Sequence, residues 1–433
     1  MRILVLSQYW WPENGVPQRR WSWLTTILRE QGHEVDVIAP PPHYNRNVSG
    51  KEYLRELTRF TFDPELGPNG EHIYRCGYLP TSASLTYRAF NQAVVSLSTI
   101  RVGSRMKRRR RFPRPDLIIG TVPALPTAIA AFCVGRLFHA PYIIDLRDAW
   151  PDLVDYSALW NAGTKKISVR ERILRRGPLQ IVSWCVKRSL NFAYRNSAAV
   201  VLTSDYLRKS LQERPEVINT KRKQKFVTVR NVFPAKVDPL SRNSGGSEAR
   251  ELNVLYAGTL GRAQQLSNAV KAVSLAEKRG YRVNLRLVGA GATSSALRKQ
   301  VKETDLPISV FGKADAEELL QHYEWADTAL VHLTDWEPLK AAVPSKTFEL
   351  MRLGIHISGA IAGETAELIR ALEAGDVVPP QDASALADLW CSLIDNRERL
   401  VVSSHAREWL EQEAGVETPR KIRWLLEELE GEH

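Results

Sequence analysis

The sequence predicts an α/β protein built from two doubly wound, Rossmann-like domains that face one another across a cleft. At 433 residues the chain is longer than one ordinary hydrophobic core organises, so two domains are expected. In both halves short apolar segments alternate with amphipathic ones, which is the pattern of parallel strands connected by helices. A stretch rich in Pro, Ser, Gly and charge separates the halves, at residues 231–250.

Composition places the chain among soluble globular proteins, with 44% hydrophobic and 25% charged residues. No signal peptide is expected, because the apolar stretch after Arg2 ends at Leu6. The uncharged segment 117–135 approaches the ~20 apolar residues of a membrane span, but a buried strand followed by a core helix explains it better. Four cysteines without a C-x-x-C pair favour a reduced cytosolic compartment over a disulfide framework or a structural zinc: Cys76, Cys133, Cys185 and Cys391.

The first half begins with a strand, a loop, a helix and a second strand. "RILVLSQ" is the first apolar strand and "HEVDVIAP" the second. Between them Trp21, Leu24, Ile27 and Leu28 recur at helical spacing, and Gly32 ends the helix. Further apolar strands are predicted in "PDLIIGTV", "APYIIDLRD" and "AAVVLTS".

The same alternation restarts after residue 250. Strands are predicted in "LNVLYAGTL", "RVNLRLVGAG", "ISVFGK" and "TALVHL", each followed by a helix. The predicted limits are 1–230 for the first domain, 231–250 for the linker and 251–411 for the second domain. The last segment, 412–433, is expected to be a helix that packs back onto the first domain.

The net charge of +12 is concentrated in a few runs. "RVGSRMKRRRRFPRP" holds eight basic residues and no acid, and "GTKKISVRERILRRG" and "TKRKQK" follow it. Such runs attract nucleic acid, anionic lipid or phosphorylated substrates, although a plain solvated face has the same composition.

The common catalytic and nucleotide-binding motifs are missing. "VGAGATS" lacks the third glycine of a dinucleotide fingerprint, and the next strand ends in Lys313 rather than in the acid that would hold a ribose. No P-loop, H-E-x-x-H, G-x-S-x-G or D-x-D sequence occurs. The sequence therefore disfavours nicotinamide enzymes, ATPases, zinc hydrolases and metal-diphosphate chemistry, and it leaves a ligand site at the carboxyl ends of the strands.

The segment "VPSKTFELMRLG" has the features of an anion site at a helix start. If Ser345 is the N-cap, the free backbone N–H groups of Lys346, Thr347 and Phe348 point outward, and the lysine adds a full positive charge. Phe348 is expected to face the core, as is Met351. Glu349 falls one position too late for a capping box and is free to accept hydrogen bonds from sugar hydroxyls. An ordinary capped helix with an exposed glutamate is the alternative.

Taken together, these segments resemble the family-4 retaining glycosyltransferases, which have the GT-B fold. The resemblance covers nearly the whole chain and rests on the following segments: "SQYWWPENGVPQRRWSWLTTILREQGHEVDVIAP", "YIIDLRDAWP", "LYAGTLGRAQQLSNAVKAV", "VFGKADAEELLQHYEWADTALVHL", "VPSKTFELMRLG" and "GETAELIRALEAGDVVPPQD". The details "DLRDAWP", "AQQL" and "VPSK" are most similar to bacterial enzymes that build surface polysaccharides, often by moving amino sugars or deoxysugars onto lipid-linked acceptors.

The resemblance implies roles for individual residues. Glu349 matches an acid that binds the nucleotide ribose, and Gly312 and Lys313 match a loop that contacts the base. The family's first glutamate is Ala341 here, so Asp335 or Glu337 is the candidate substitute. The full expected donor-binding set is Gly15, Gly258, Gly312, Lys313, Glu337, Ser345, Lys346, Thr347 and Glu349.

Catalysis needs positive charge where the diphosphate leaves. The family's usual arginine and lysine are Thr259 and Gln264 in this chain, so Arg262, Lys346 and the helix dipole are expected to supply that charge. Asp148 is expected to line the donor-sugar pocket and completes the predicted catalytic set. Residues expected on the acceptor side are His43 and Asn14.

The implied reaction moves a sugar from a nucleotide donor to an acceptor hydroxyl with retained configuration, without a metal or other cofactor. The expected partners are a nucleotide-sugar, a lipid-linked acceptor and an anionic membrane surface bound through an Arg-rich helix at 101–114, with no nucleic acid. The expected location is the cytoplasm, at the inner face of the membrane. A sugar-nucleotide epimerase on the same fold and a basic nucleic-acid-binding protein remain the alternatives.

Overall fold

The computed structural model describes residues 1–13, 15–42, 63–80, 85–109, 112–149, 152, 178–219, 224–234 and 251–431. It confirms the α/β class with two doubly wound units. The first unit contains the described residues up to Phe233 together with those from Glu417 onward. The second contains the described residues between Pro234 and Val416.

The first unit is built on an eight-stranded sheet in the order β3-β4-β2-β1-β5-β6-β7-β8. All neighbouring pairs are parallel except β3 and β4. β1 lies at the centre, where Ile3 is opposite Val35 on one side and Leu117 on the other. The strands are β1 Arg2–Leu6, β2 Glu34–Ala39, β3 Glu65–Leu66, β4 His72–Arg75, β5 Leu117–Val122, β6 Tyr142–Leu146, β7 Ala199–Leu202 and β8 Lys225–Thr228.

Before the second unit, the described residues of the first unit form the helices α1 Val16–Glu30, α2 Leu85–Arg108, α3 Pro126–Phe138, α4 Pro178–Asn196 and α5 Asp205–Gln212. In α1 the predicted apolar face is buried, with Trp21 only 2% exposed. The Arg-rich helix predicted at 101–114 is wrong at its end, because α2 stops at Arg108. Pro113 and Pro115 oppose helical backbone in the residues before them, and Phe112 instead closes a turn onto the Arg109 carbonyl.

The uncharged segment 117–135 forms β5 and most of α3. β5 is fully buried between β1 and β6, and α3 contributes Ala128, Ala131 and Val134 to the interior. In the described part of the chain, no helix has both the length and the apolar character needed to cross a membrane.

The second unit holds a six-stranded, wholly parallel sheet in the order β11-β10-β9-β12-β13-β14. Its core is centred on Trp390, which is fully buried. The strands are β9 Glu251–Ala257, β10 Arg282–Val288, β11 Ile308–Phe311, β12 Thr328–His332, β13 His356–Ala360 and β14 Gly375–Val378. The helices are α6 Ser267–Lys278, α7 Ser294–Lys302, α8 Ala316–Trp325, α9 Ser345–Leu353, α10 Glu364–Ala371, α11 Ala383–Asp395 and α12 His405–Gln412.

The C-terminal helix α13, Thr418–Glu430, completes the first unit. Its residues Leu425, Leu426 and Leu429 share one hydrophobic cluster with Trp21 and Val227. The Gln31 side chain also donates a 2.9 Å hydrogen bond to the Pro419 carbonyl. Within the segment 412–433, for which a helix is predicted, a π-helical turn over Glu413–Glu417 connects α12 to α13.

Candidate functional site

Backbone hydrogen bonds join three strand ends of the second unit. β9, β10 and β11 are adjacent and parallel, so their carboxyl ends meet at the edge of the sheet where such folds bind ligands. The Gly258 N–H donates to the Val288 carbonyl at 2.9 Å, and the Gly289 N–H donates to the Gly312 carbonyl at 2.9 Å. Two of the predicted site residues, Gly258 and Gly312, thus lie in neighbouring loops at this edge.

The "VGAG" glycines serve this loop packing. A Cβ atom on Gly289 would come within 1.8 Å of the Gly258 carbonyl oxygen, and one on Gly291 within 2.3 Å of the Leu260 carbonyl oxygen. Gly289 also has a φ of +146°, which side chains rarely tolerate. These two glycines are therefore explained by the close contact between neighbouring loops. Their presence does not require a bound dinucleotide.

The loop at Gly312 and Lys313 is open. Among the described residues other than its two neighbours in the chain, none has a heavy atom within 4 Å of a Cβ built on Gly312, and Lys313 is exposed. Immediately before it, the exposed Phe311 ring lies 4.8 Å from the His322 ring. The Arg286 guanidinium lies 3.7 Å from the centre of the Trp325 ring. This aromatic and arginine surface can stack on a planar ligand, and we did not predict it because its members are far apart in the sequence.

Glu349, Lys346 and Tyr323 form a closed triangle. The Lys346 Nζ is 3.1 Å from the Glu349 Oε1, and the Tyr323 hydroxyl donates to the same oxygen at 3.0 Å. The Lys346 Nζ also contacts the Tyr323 hydroxyl at 3.0 Å. The two predicted residues Lys346 and Glu349 are therefore in direct contact, and the glutamate already balances the charge of the lysine. Tyr323 was not predicted.

Helix α9 begins one residue earlier than an N-cap at Ser345 requires. Pro344 occupies the N-cap position and Ser345 is the first helical residue. The Thr347 N–H donates to the Pro344 carbonyl at 2.9 Å and is not available to a ligand. Phe348 and Met351 are buried as predicted, whereas the fully buried Thr347 hydroxyl has no hydrogen-bond partner among the described residues.

Arg262 begins a short 3₁₀ helix, Arg262–Gln264, just after β9. The Ala263 carbonyl accepts a 2.8 Å hydrogen bond from the Thr334 N–H, which fixes this helix against the end of β12. The Arg262 Nε is buried and has no hydrogen-bond partner in the part of the chain that the structure describes. Lys346 forms an ion pair with Glu349, whereas Arg262 forms none with a carboxylate among the described residues.

His332, at the end of β12, is a buried neutral imidazole. It is 2% exposed, and its Nε2 lies 3.0 Å from the Asn268 Nδ2. Burial lowers the pKa of His332 to about 4, so the ring is uncharged near neutral pH.

Glu337, the candidate for the family's first glutamate, lies in the 3₁₀ helix Glu337–Ala341. It forms a 2.6 Å ion pair with Lys340 and its side chain is 60% exposed. A Cβ on Gly363 would come within 2.1 Å of the Lys340 carbonyl oxygen, so the loop before α10 packs tightly behind this helix.

In the first unit, Gly15 is the N-cap of α1, where its N–H donates to the Gln18 Oε1 at 3.0 Å. Asp148 is exposed two residues after β6. The two acceptor-side candidates, His43 and Asn14, lie outside the described residues.

A buried ion pair at the carboxyl edge of the first sheet was not predicted. Arg20, fully buried in α1, pairs with Asp145 at 2.8 Å, and the Trp21 Nε1 donates to the same carboxylate at 3.0 Å. The sequence did contain a signal for this pair, since an aspartate lies inside the apolar strand "YIIDL". A charge buried in such a strand requires a partner. Across the described ranges, no group of three or more His, Cys, Asp or Glu is placed to hold a metal ion.

Comparison with known proteins covers both units. The model of the "Glycosyl transferase 4-like domain" matches residues 15–221, and the "Glycosyl transferases group 1" model matches residues 238–409. A curated relative, "Putative colanic acid biosynthesis glycosyl transferase WcaI" of Escherichia coli, is 25% identical over 316 residues, which are 71% of this chain and 70% of that protein.

Solved structures share the fold at low sequence identity. Sucrose-phosphate synthase from Thermosynechococcus elongatus superposes with a TM-score of 0.69 at 16% identity, covering 100% of both chains. HepE of Anabaena, in complex with UDP and glucose, has a TM-score of 0.58 at 14% identity, covering 99% of this chain and 100% of its own.

Two doubly wound parallel units, each matched by a glycosyltransferase domain model, define a glycosyltransferase of the GT-B fold. Within that class, the chain belongs to the family-4 type, which confirms the resemblance drawn from the sequence.

Proposed function

We propose that this enzyme is a retaining transferase that moves a hexosyl or hexosaminyl group from a nucleotide-sugar to an acceptor hydroxyl. The observation that carries the proposal is the triangle in which Tyr323 and Lys346 hold Glu349 on α9, the helix that follows β12. These residues lie in the segment matched by the group 1 glycosyltransferase model. HepE, a structural neighbour, was solved with UDP and glucose.

The nucleoside is assigned to the loop after β11 and to Glu349. A base can stack beside Phe311, where Gly312 leaves open space and Arg286 and Trp325 extend the planar surface. Glu349 accepts from ribose hydroxyls. Its carboxylate is oriented by the tyrosine, so a ribose hydroxyl adds to an arrangement that already exists.

The diphosphate is assigned chiefly to Arg262, with Ser345 and Lys346 at the start of α9 in support. Arg262 has an unused buried Nε, whereas the charge of Lys346 is shared with Glu349. A charge-assisted hydrogen bond to phosphate contributes about 1.5–3 kcal/mol. Glu337 remains the proposed substitute for the family's first glutamate, although it must release Lys340 to bind a sugar.

In the proposed reaction the bond from the anomeric carbon to the phosphate oxygen breaks while the acceptor oxygen bonds to the same face. The departing phosphate takes the acceptor proton, so no protein base is required. Positive charge from Arg262 and the helix start stabilises the leaving group, and no metal is needed in this scheme. Gly15 and Asp148 are assigned to the first unit's share of substrate binding, with His43 and Asn14 on the acceptor side.

The proposed acceptor is a lipid-linked glycan in cell-surface polysaccharide assembly, in line with the biosynthetic description of the E. coli relative. We place the enzyme in the cytoplasm, at the inner face of an anionic membrane. The proposed contact surface is the outer side of α2, α3 and α4, three adjacent helices that contain no acidic residue. We call this surface the aromatic–arginine face.

Large apolar side chains project from the aromatic–arginine face. Leu97 is 68% exposed on α2, and Trp184 is 60% exposed on α4. Arg188 lies over the Trp184 ring at 5.6 Å, so cationic and aromatic groups are interleaved. This combination suits an interface in which arginines meet lipid phosphates and rings enter the headgroup region.

The proposed donor is tested by thermal unfolding with UDP, GDP, TDP and ADP, in buffer containing EDTA, with NAD and a DNA duplex as controls. A diphosphate at 100 times its Kd should stabilise the second unit by about 2.7 kcal/mol. Glu349→Gln keeps the side-chain shape and should lose most of this stabilisation. Glu367→Ala, an exposed glutamate on α10, is the matched control and should keep it.

An unchanged diphosphate response in Glu349→Gln would refute the ribose assignment. A salt-sensitive shift with DNA and none with any diphosphate would refute the transferase proposal as a whole.

A further inference from the structure

The first unit contains a cavity between two of its helices. Leu24 and Leu28 of α1 line one part of it, and Leu425 and Leu426 of α13 line another. Side chains from β5, β6, β7 and β8 form its floor. The cavity has a volume of about 40 Å³, whereas a single water molecule needs roughly 10–15 Å³. Protein interiors contain few voids larger than a water molecule, so this space is a distinct feature of the first unit.

The wall of the cavity is hydrocarbon. The described residues that line it expose no polar atom to it, although Asp145 and Lys421 are among them. Both oxygens of Asp145 are occupied, since Oδ1 accepts from the Arg20 Nη2 at 2.8 Å and Oδ2 from the Trp21 Nε1 at 3.0 Å. Water, sugars and nucleotides need polar partners, which this wall does not offer, whereas an apolar group needs none.

The cavity is partly open to solvent. Three of the described lining residues are only partly buried and therefore mark the opening: Val201 in β7 and Lys421 and Ile422 in α13. Lys421 lines the wall through its carbon stem, so its charge lies beyond the wall, on the side of the opening. A ligand can thus keep a charged end outside while its apolar end lies inside.

The volume admits a short piece of hydrocarbon, roughly three groups of the size of a water molecule. We propose that the cavity binds the terminal carbons of an aliphatic chain whose anionic head group stays outside, beside Lys421. The remaining carbons pass through the opening between α13 and β7. This inference goes beyond the proposed function, because the site lies within the first unit and does not involve the nucleotide-sugar.

The experiment titrates the full chain with butanoate, hexanoate, octanoate and 1-octanol by isothermal titration calorimetry, at constant ionic strength. The Kd should fall about fourfold for each methylene that enters the cavity and stay level once the cavity is full. Binding should also show the negative heat-capacity change of apolar burial. Octanol, which has no charge, should bind more weakly than octanoate, and Lys421→Met should remove that difference.

A second variant fills the cavity from its floor. Val201→Leu combined with Val227→Leu should raise the Kd for octanoate at least about tenfold. Without ligand, this cavity-filled variant should unfold at the same temperature as the wild type or higher, because the new methylenes occupy empty space. Val254→Leu is the matched control, at a fully buried position in the core of the second unit. It should leave the octanoate Kd unchanged and should lower the unfolding temperature by overpacking.

The aromatic–arginine face is a competing site for a chain with an anionic head. Trp184→Ala with Phe192→Ala removes two exposed rings from it and should leave the octanoate Kd unchanged. Dihexanoyl-phosphatidylglycerol is titrated in parallel. Tighter binding of this lipid than of octanoate assigns the chain to a phospholipid, and the reverse order assigns it to a free fatty acid.

An octanoate Kd that is the same in the wild type and in the cavity-filled variant would overturn the inference. Loss of octanoate binding in Trp184→Ala with Phe192→Ala would also overturn it, because the chain would then lie on the aromatic–arginine face. Equal affinities of the wild type for octanoate and octanol would refute the anionic head group.

Discussion

At the residue scale, the buried imidazole of His332 links stability to pH. Its pKa is about 4 in the folded chain against 6.5 for a free histidine, so the unfolded state binds more protons between these values. The stabilisation is complete above pH 6.5 and is lost as the pH falls toward 4. Urea unfolding should show about 2–3 kcal/mol less stability at pH 4.5 than at pH 7.5 from this group.

His332→Gln should remove that part of the pH dependence. His405→Gln, at an exposed position on α12, is the control and should retain it. Identical pH profiles for the wild type and His332→Gln would contradict the assignment.

The sequence could indicate Glu349 and Lys346 because they lie within one helical turn of a segment with a clear start signal. It could not indicate Tyr323, which reaches Glu349 from another helix, 26 positions away. The pairing of Arg20 with Asp145 was equally hidden, because it exists only once α1 and β6 are packed together.

At the scale of elements, the aromatic–arginine face makes a prediction about membranes. Binding to vesicles that contain anionic lipid should combine insertion of Trp184 and Phe192 with the attraction of Arg101 and Arg188. Each basic residue near such a surface contributes about 1 kcal/mol. In a flotation assay, Arg101→Glu with Arg188→Glu should abolish binding, and Trp184→Ala with Phe192→Ala should weaken it.

Arg423→Glu is the control, because it makes the same change of charge at an exposed position on α13, outside the aromatic–arginine face. This variant should bind the vesicles as the wild type does. Equal binding to neutral and anionic vesicles would refute the electrostatic part of the proposal. No binding to either would refute the membrane surface itself.

Element types were predictable where a strand is a clear apolar segment, as in β1, β2, β5, β9 and β10. The sequence missed β3, which has two exposed residues, and β4, because a short strand at a sheet edge has little apolar pattern. It also did not indicate β8, β13 and β14. The end of α2 was misplaced because basic residues continue past Arg108, and composition alone does not show where the proline-rich turn begins.

At the scale of the whole molecule, two separate cores predict two unfolding transitions rather than one. Leu425→Ala should lower the free energy of unfolding of the first unit, and Leu285→Ala that of the second, each by about 2–5 kcal/mol. In scanning calorimetry, the nucleoside diphosphate that binds should raise only the transition that Leu285→Ala affects. A single transition moved equally by both substitutions would contradict this division.

The return of α13 to the first unit has a consequence for synthesis on the ribosome. The first unit lacks Leu425, Leu426 and Leu429 until residues 234–416 have also been made. At ~5–20 residues per second this interval is roughly 10 to 40 s. During that time the surface around Trp21 and Val227 is uncovered and offers a binding site to chaperones. The domain that is translated first is therefore completed last.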